Sequence, residues 1–411
     1  MTQMTMSKRD TRIDAFRALA LLTIFVNHVP GTIYEWFTHK HFGFSDSAEA
    51  FVLISGISVG IAYGNKFFGS NRLVISLKLL RRSATLYSAH ILTTLASLAI
   101  FVAAATFFHH PEFLYVNNIP PLLKDPAQSL LGLVTLGHQL GYNNILSLYL
   151  ILMCATPFIL YLANRSMGLL IALSLALYLI AGLYGIAPHN YPTKGVWFLN
   201  PLSWQLLFVI GITATVHVKR GGQLPSHPLL YLGAISYLVI SLLWVRLGWW
   251  WINPTMGLPT TLTGFNKTFL SLPRLLHIVA LAYVITMTLP LNKLARVAPN
   301  NPIAILGKHS LAVFVTGTIL AMAGQVLKTV NPGGFCYDTL LLATGIVIQF
   351  AVAYYFEWVK IATKEISSAA VAAQIRHNNG VVQSKVLKPA EIGTSNWQTP
   401  VATVKKLEVE V

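Results

Sequence analysis

The sequence predicts an all-α protein that crosses a membrane about ten times. Hydrophobic residues make up 55% of its 411 residues and charged residues only 10%, whereas soluble chains carry roughly 25% charged residues. The 29 Lys and Arg and 13 Asp and Glu residues are too few to cover a water-facing surface of this size, so most of the surface is expected to face lipid. This composition excludes a soluble enzyme, a disordered chain and a secreted disulfide scaffold.

Ten segments are long and apolar enough for spanning helices, which need about 20 residues each. In chain order they cover residues 13–30, 47–64, 83–106, 143–163, 167–187, 201–218, 229–247, 273–290, 303–328 and 336–359. The first one follows basic residues but lacks the small-residue cleavage site of a signal peptide, so we expect a retained helix. Residues 126–141 are apolar but short, which favours an interfacial or re-entrant helix.

The basic residues predict that both termini are cytoplasmic. With the amino terminus inside, the inner loops and span ends hold sixteen Lys and Arg residues and the outer side seven, the distal tail left out. This asymmetry follows the positive-inside rule, so we attribute the net charge of +16 to cytoplasmic loops rather than to nucleic-acid binding. Residues 1–360 form the predicted membrane domain. Residues 361–411 are polar and lack periodicity, which predicts a disordered cytoplasmic tail.

Ionisable residues in the first span are the strongest indication of a functional site, because charges inside a membrane need a partner, a wet cavity or a role. Arg17 and His28 lie eleven positions apart, which places them on one helical face about 16 Å apart along the axis. They would line one shaft through the protein. Alternatively, Arg17 reaches the headgroups or pairs with Asp14, and His28 is a polar cap at the membrane interface.

A second polar group enters the next span at Asp46 and Glu49, which share one helical face. Two carboxylates near His28 would orient its imidazole and raise its basicity. The alternative is an N-terminal capping pattern after Ser45. Capping alone does not readily explain a glutamate that is already at membrane depth.

Other polar residues stand near the ends of later spans. Arg274 and His277 share a face in the eighth span, and Lys308 with His309 interrupts the ninth. Arg81 and Arg82 lead the third span, where ordinary positive-inside anchoring is the simpler interpretation. His90, inside that span, fits a hydrogen-bonded core histidine. We find no nucleotide-binding, nucleophile-elbow or zinc-protease motif and expect no metal site.

These residues resemble the glucans biosynthesis protein C family, within the wider superfamily of polytopic membrane acyltransferases. An arginine followed after ten residues by a histidine, here Arg17 and His28, is the hallmark of that superfamily. This pair lies in a matching stretch, residues 9–28, and four further stretches accompany it in order. These are residues 43–56, 200–208, 265–277 and 306–314, and the matches together cover nearly the whole membrane region. Ser147 departs from the family, which commonly has proline there, and the residues after 360 fall outside the match.

The resemblance implies a multi-pass protein of the bacterial inner membrane that transfers succinyl groups from cytoplasmic succinyl-CoA to a periplasmic glucan. It implies acyl-CoA as a donor substrate and no permanently bound cofactor. His28 would be the general base, and Asp46 or Glu49 would hold its tautomer. The remaining assignments are substrate contacts: Arg17 for CoA phosphate or pantetheine, Lys308 and Arg81 or Arg82 for the phosphate end, Arg274 and His277 for the succinyl carboxylate or the carbonyl, and Trp204 for stacking.

Two other functions are compatible with the residues. A glycan or lipid transporter would also have a polar shaft, but it needs no base facing an acyl donor. A non-catalytic assembly subunit would use Arg17 and His28 for stability or partner binding. The sequence does not distinguish succinyl from other acyl donors, nor a glucan from another envelope polysaccharide, and it leaves the oligomeric state open.

Overall fold

The computed structural model describes residues 10–69 and 71–386, and every regular element among them is a helix. The expectation of an all-α, multi-pass membrane protein is confirmed. The principal helices are α1 (Thr11–Asn27), α2 (Ser47–Val59), α3 (Arg72–Phe107), α4 (Pro126–Val134), α5 (Asn144–Arg165), α6 (Met167–Tyr184), α7 (Pro201–Lys219), α8 (Pro228–Leu247), α9 (Leu272–Met287), α10 (Pro302–Lys308), α11 (Ser310–Val330) and α12 (Phe335–Val386). Short helical turns lie between several of them, and α2 continues through a π-helical turn at Gly60–Gly64.

Short polar side chains determine where many of these helices begin. Each accepts a hydrogen bond from a backbone N–H of the first turn, which otherwise has no partner within the helix. The residues that do so are Asp10, Asp46, Asn71, Asp125, Ser166, Asn200, His227 and Asn301. Proline follows at the next position in several cases, as Pro201 follows Asn200. The helix starts are therefore largely encoded locally.

Glycines bring two pairs of helix backbones close together. Gly56 on α2 faces Phe208 on α7, and Gly211 on α7 faces the backbone of α2, so an added Cβ at either glycine would overlap main-chain atoms. Gly307 on α10 faces the carbonyl of Asp14 on α1 in the same way. Small residues at such positions let membrane helices pack through their backbones. α1 thereby lies against α2, α10 and α11 at the centre of the site described below.

Burial separates interior helices from lipid-facing ones. α7 buries most of its side chains, Trp204 and Phe208 completely. α8 buries only Ser241, so its apolar side chains are available to lipid. The helices that carry the candidate site, α1, α2 and α5, belong to the interior group.

Within the described residues, eight helices are long and apolar enough to cross a membrane, where the sequence predicted ten spans. The two predicted spans that fall short are 13–30 and 273–290. α1 ends at Asn27, and α9 is only 16 residues long because the helix breaks at Thr288 ahead of Pro290. The predicted span 303–328 is divided at His309 into α10 and α11. The predicted short helix in 126–141 is α4, nine residues long.

The chain divides into two compact units, residues 1–357 and 358–411. The first contains the helical membrane region. In the second, α12 remains helical to Val386, so part of the expected disordered tail is helical. The rest of that tail, residues 387–411, lies outside the described residues.

Candidate functional site

Arg17 points into the protein rather than toward lipid. Its guanidinium lies 3.5 Å from the Asp14 carboxylate and donates to the carbonyl of Gly307 at 3.3 Å. It also donates to the hydroxyl of Ser58 on α2. The side chain is 12% exposed. The pairing with Asp14 that the sequence offered as an alternative is thus formed, but Arg17 also contacts α2 and α10.

Arg17 and Arg82 line one narrow cavity, although 65 positions separate them in the sequence. Ser55 and Tyr149 add hydroxyl groups to its wall. The cavity measures about 20 Å³, room for about one water molecule. Two guanidinium groups among hydroxyls form a pocket suited to an anion.

This cavity does not extend to His28. Phe51 and Phe314 form part of its wall, and their rings lie 6.2 Å apart. The cavity at Arg17 therefore does not by itself form the continuous shaft that the spacing of Arg17 and His28 suggested.

His28 ends α1 and is held on one face of its ring. Its backbone N–H continues the helical hydrogen bonding to Ile24 and Phe25. The imidazole stacks on Tyr142 with ring centroids 3.7 Å apart and an angle of 12° between the planes. Its Nδ1 is buried and has no hydrogen-bond partner among the described residues.

Asp46 and Glu49 form an ion cluster with two cations, Lys267 in the loop before α9 and Arg274 within α9. The Arg274 guanidinium lies 2.6 Å from Glu49 Oε1 and 3.3 Å from Asp46 Oδ2. Lys267 Nζ lies 2.5 Å from the same Asp46 oxygen. Glu49 is completely buried, so its charge depends on this pairing.

The predicted contact between these carboxylates and His28 is not made, which corrects the expected arrangement. Asp46 and Glu49 form the capping box of α2: Asp46 accepts from the N–H of Ala48 at 2.8 Å, and Glu49 accepts from the N–H of Asp46 at 2.9 Å. Their remaining oxygens bind Arg274 and Lys267. The capping is the interpretation that the sequence gave as its alternative, whereas the pairing of both carboxylates with cations was not expected.

His277 interacts with Ser45. Its Nδ1 lies 2.7 Å from the Ser45 hydroxyl and 3.3 Å from the Ser45 backbone N–H. His39, in the loop between α1 and α2, lies 3.4 Å from the same hydroxyl. Burial lowers the pKa of His39 and outweighs the opposing effect of Asp46, so this imidazole is neutral near pH 7. The three side chains tie that loop to α9.

The expected roles of Arg274 and Trp204 as substrate contacts do not agree with their surroundings. Two carboxylates already neutralise Arg274, so it is a poor receptor for a succinyl carboxylate. Trp204 is completely buried and offers no stacking face. Its indole N–H instead donates to the carbonyls of Lys267 and Thr268, at 3.0 and 3.2 Å, and so fixes the loop that carries Lys267.

The other predicted residues are distributed over the helices. Lys308 and His309 both bind Glu357, the histidine at 2.8 Å, so Lys308 is committed to an ion pair. Arg81 and Arg82 are both exposed on α3, but only Arg82 lines the cavity. His90 is completely buried and lies 3.4 Å from Ser147, in agreement with a core histidine.

Several residues of the site carried no recognised signal in the sequence. Ser45 and Lys267 lie inside the matching stretches, but their partners are distant in the chain. Gln325 gave the clearest overlooked signal, because an amide within a predicted span needs a polar partner. Its side chain donates to the backbone carbonyl of His28 at 2.8 Å. Tyr142 is one of sixteen tyrosines, and no spacing rule marks it.

Comparison with curated proteins finds none that matches. A family model described as OpgC protein matches residues 9–361. That range contains α1 to α11, the Arg17 cavity, the ion cluster and His28. The matched range covers most of the chain, and the chain therefore belongs to the OpgC protein family.

Proposed function

We propose that this protein is an O-acyltransferase of the bacterial inner membrane that moves a succinyl group from cytoplasmic acyl-CoA to a hydroxyl of a periplasmic glucan. Membership of the OpgC family supports a role in glucan succinylation. The observation that carries the proposal is the placement of Arg17 and His28. One interior helix directs an arginine into a cavity with a second arginine and ends in a histidine held inside the bundle.

The Arg17 cavity is the proposed entrance for the donor. Acyl-CoA carries phosphates and a succinate carboxylate, and guanidinium groups recognise such anions through charge-assisted hydrogen bonds. Arg82 has Tyr149 as a neighbour, and Arg17 has the hydroxyl of Ser58. Arg17 is thus held by Asp14 and by neutral groups, and Arg82 lies beside a neutral hydroxyl. Both arginines remain suited to bind an anion.

His28 is the proposed general base. The glucan hydroxyl attacks the thioester carbonyl carbon, its proton passes to the imidazole, and the new C–O bond replaces the C–S bond. The CoA thiolate leaves and is protonated to the thiol. Proton transfer of this kind typically contributes about 10²–10⁴-fold to the rate. In this proposal His28 has no direct contact with the ion cluster of Asp46, Glu49, Arg274 and Lys267.

The decisive experiment measures transfer of labelled succinyl from succinyl-CoA to glucan by purified protein in lipid nanodiscs, with mass spectrometry of the product. We expect succinylated glucan from the wild type. His28→Ala should lower the rate by about 10²-fold or more. His189→Ala, which changes an exposed histidine on the predicted outer side, should leave the rate unchanged. Full transfer by a well-inserted His28→Ala protein would refute the base assignment. Movement of glucan into proteoliposomes by the same protein, without acyl transfer, would indicate a transporter.

A further inference from the structure

His28 differs from the usual catalytic histidine in how it is held. Such a base is normally oriented by a hydrogen bond from its second nitrogen to a carboxylate or carbonyl. Here Asp46 and Glu49 are engaged elsewhere, and His28 Nδ1 has no partner in the described part of the chain. Whatever fixes this ring must therefore act through its face or through its backbone.

Tyr142 supplies the contact to the ring face. Its ring lies nearly parallel to the imidazole at a centroid distance of 3.7 Å. Gly141 precedes it with φ +55°, a left-handed conformation that favours glycine, and its N–H donates to the carbonyl of Asn117 at 3.2 Å. This turn, immediately before α5, is thus fixed in the orientation that places Tyr142 on His28.

Gln325 on α11 supplies the contact to the backbone. Its Nε2 donates to the His28 carbonyl at 2.8 Å. Its Oε1 accepts from Asn117 Nδ2 at 3.4 Å. One amide side chain therefore joins the end of α1 to Asn117, whose carbonyl accepts from the Gly141 N–H in the turn that carries Tyr142.

We propose that Tyr142 and Gln325 are positioning residues that hold His28 for proton transfer, Tyr142 through the face of the imidazole and Gln325 through its backbone carbonyl. This arrangement fixes the orientation of the imidazole, which is one of the roles that a carboxylate has for other histidine bases. The proposal rests on the proposed function, because it assigns a purpose to the position of His28.

The test compares Tyr142→Leu, Tyr142→Phe and Gln325→Met in the succinyl transfer assay, with kcat and KM measured separately for the donor. Tyr142→Leu removes the flat ring and should lower kcat by about 10- to 100-fold, the cost of a small misplacement of a catalytic group. KM for succinyl-CoA should stay within about twofold, since the donor pocket at Arg17 is untouched. Tyr142→Phe retains the stacked ring and should keep most of the wild-type kcat.

Gln325→Met keeps the side-chain length but cannot donate to His28, and it should lower kcat about tenfold with the same unchanged KM. Gln325→Met also tests the proposal if the Tyr142→Leu protein does not insert into the membrane. The matched control is Trp36→Leu, which removes another histidine–aromatic stack, that of Trp36 on His41 at 4.5 Å. This variant should keep the wild-type kcat.

Two results would overturn the inference. If Tyr142→Leu or Gln325→Met is well folded and retains kcat while His28→Ala is inactive, His28 is the base but these residues do not position it. If His28→Ala itself retains activity, the proposed function fails and the positioning role with it. A rise in KM together with a fall in kcat, seen in Tyr142→Phe as well as in Tyr142→Leu, would indicate general damage to the fold and also contradict the proposal.

Discussion

At the scale of single residues, the site contains charges that are paired inside the protein in different ways. Arg17 is held by a carboxylate, a carbonyl and a hydroxyl, and it still borders a cavity. Arg274 is enclosed by two carboxylates and is not among the residues that line this cavity. An arginine of the first kind can accept a further anion, whereas one of the second kind has already been neutralised. This difference is the reason for proposing that Arg17 binds the ligand and that Arg274 stabilises the fold.

Arg17→Gln should therefore weaken binding of succinyl-CoA. Loss of one charged hydrogen-bond donor costs about 1.5–3 kcal/mol, which corresponds to an increase in Kd of about tenfold or more. Titration of purified protein with succinyl-CoA by calorimetry measures the change. Lys78→Gln removes a charge from an exposed site on α3 and is the control, with an unchanged Kd expected. Equal affinities of the Arg17→Gln protein and the wild type would contradict the donor site.

Arg274→Met should destabilise the protein strongly, because it leaves the completely buried Glu49 without its partner. Removal of one member of a buried ion pair costs about 3–5 kcal/mol. A thermal unfolding assay in detergent should show a clearly lower Tm. The double variant Glu49→Gln with Arg274→Met should recover part of the loss, since no unpaired charge remains. Arg246→Met, at an exposed residue, should change the free energy of unfolding by less than about 0.5 kcal/mol. A Tm for Arg274→Met as high as that of Arg246→Met would refute the structural role.

At the scale of helices, contacts between backbones position the charged groups. The carbonyl of Gly307 accepts a hydrogen bond from Arg17, and the same residue packs against the main chain at Asp14. α10 therefore acts on Arg17 directly. The break at His309, which ends α10 and starts α11, lets this short helix lie along α1.

Gly307→Ala should separate α1 from α10 and disturb Arg17. The new Cβ would overlap the Asp14 carbonyl, and overpacking of this kind costs about 1–3 kcal/mol. We expect a lower Tm together with weaker succinyl-CoA binding. Gly233→Ala on α8 is the matched control, because its Cβ would meet no atom within 4 Å, and alanine favours the helix by up to about 1 kcal/mol. Equal effects of the two substitutions would show that α1 and α10 are not closely packed.

The helices and their ends could be predicted from local sequence to a large extent. Short polar residues such as Asn200 and Asn301 begin helices through bonds within one turn, and the capping pattern at Asp46 was visible as an alternative. The partners of Glu49 were not, because Arg274 lies 225 positions away and only packing brings them together. For the same reason the contacts of Trp204 could not be predicted. Its position in the sequence does not show that its indole N–H donates to the carbonyls of Lys267 and Thr268.

At the scale of the whole molecule, the proposed function requires a particular orientation in the membrane. The donor is cytoplasmic and the acceptor periplasmic, so Arg17 must lie toward the cytoplasm and His28 toward the periplasm. The two residues lie on one helix, and its direction decides both positions together. The orientation of the chain is therefore a condition for the proposed chemistry as well as a topological detail, and the distribution of basic residues is its present support.

Cysteine labelling in cells tests this orientation. The background is the variant in which Cys154 and Cys336 are replaced by serine, and single cysteines are placed at two exposed loop positions, Lys194→Cys and Gln223→Cys. The loop between α6 and α7 is predicted to be outside, so a membrane-impermeant maleimide should label Lys194→Cys in intact cells. The loop between α7 and α8 is predicted to be inside, so Gln223→Cys should react only after lysis. The reverse pattern would place Arg17 on the periplasmic side, where no acyl-CoA is available, and the proposed direction of transfer would then be untenable even if His28 proved essential.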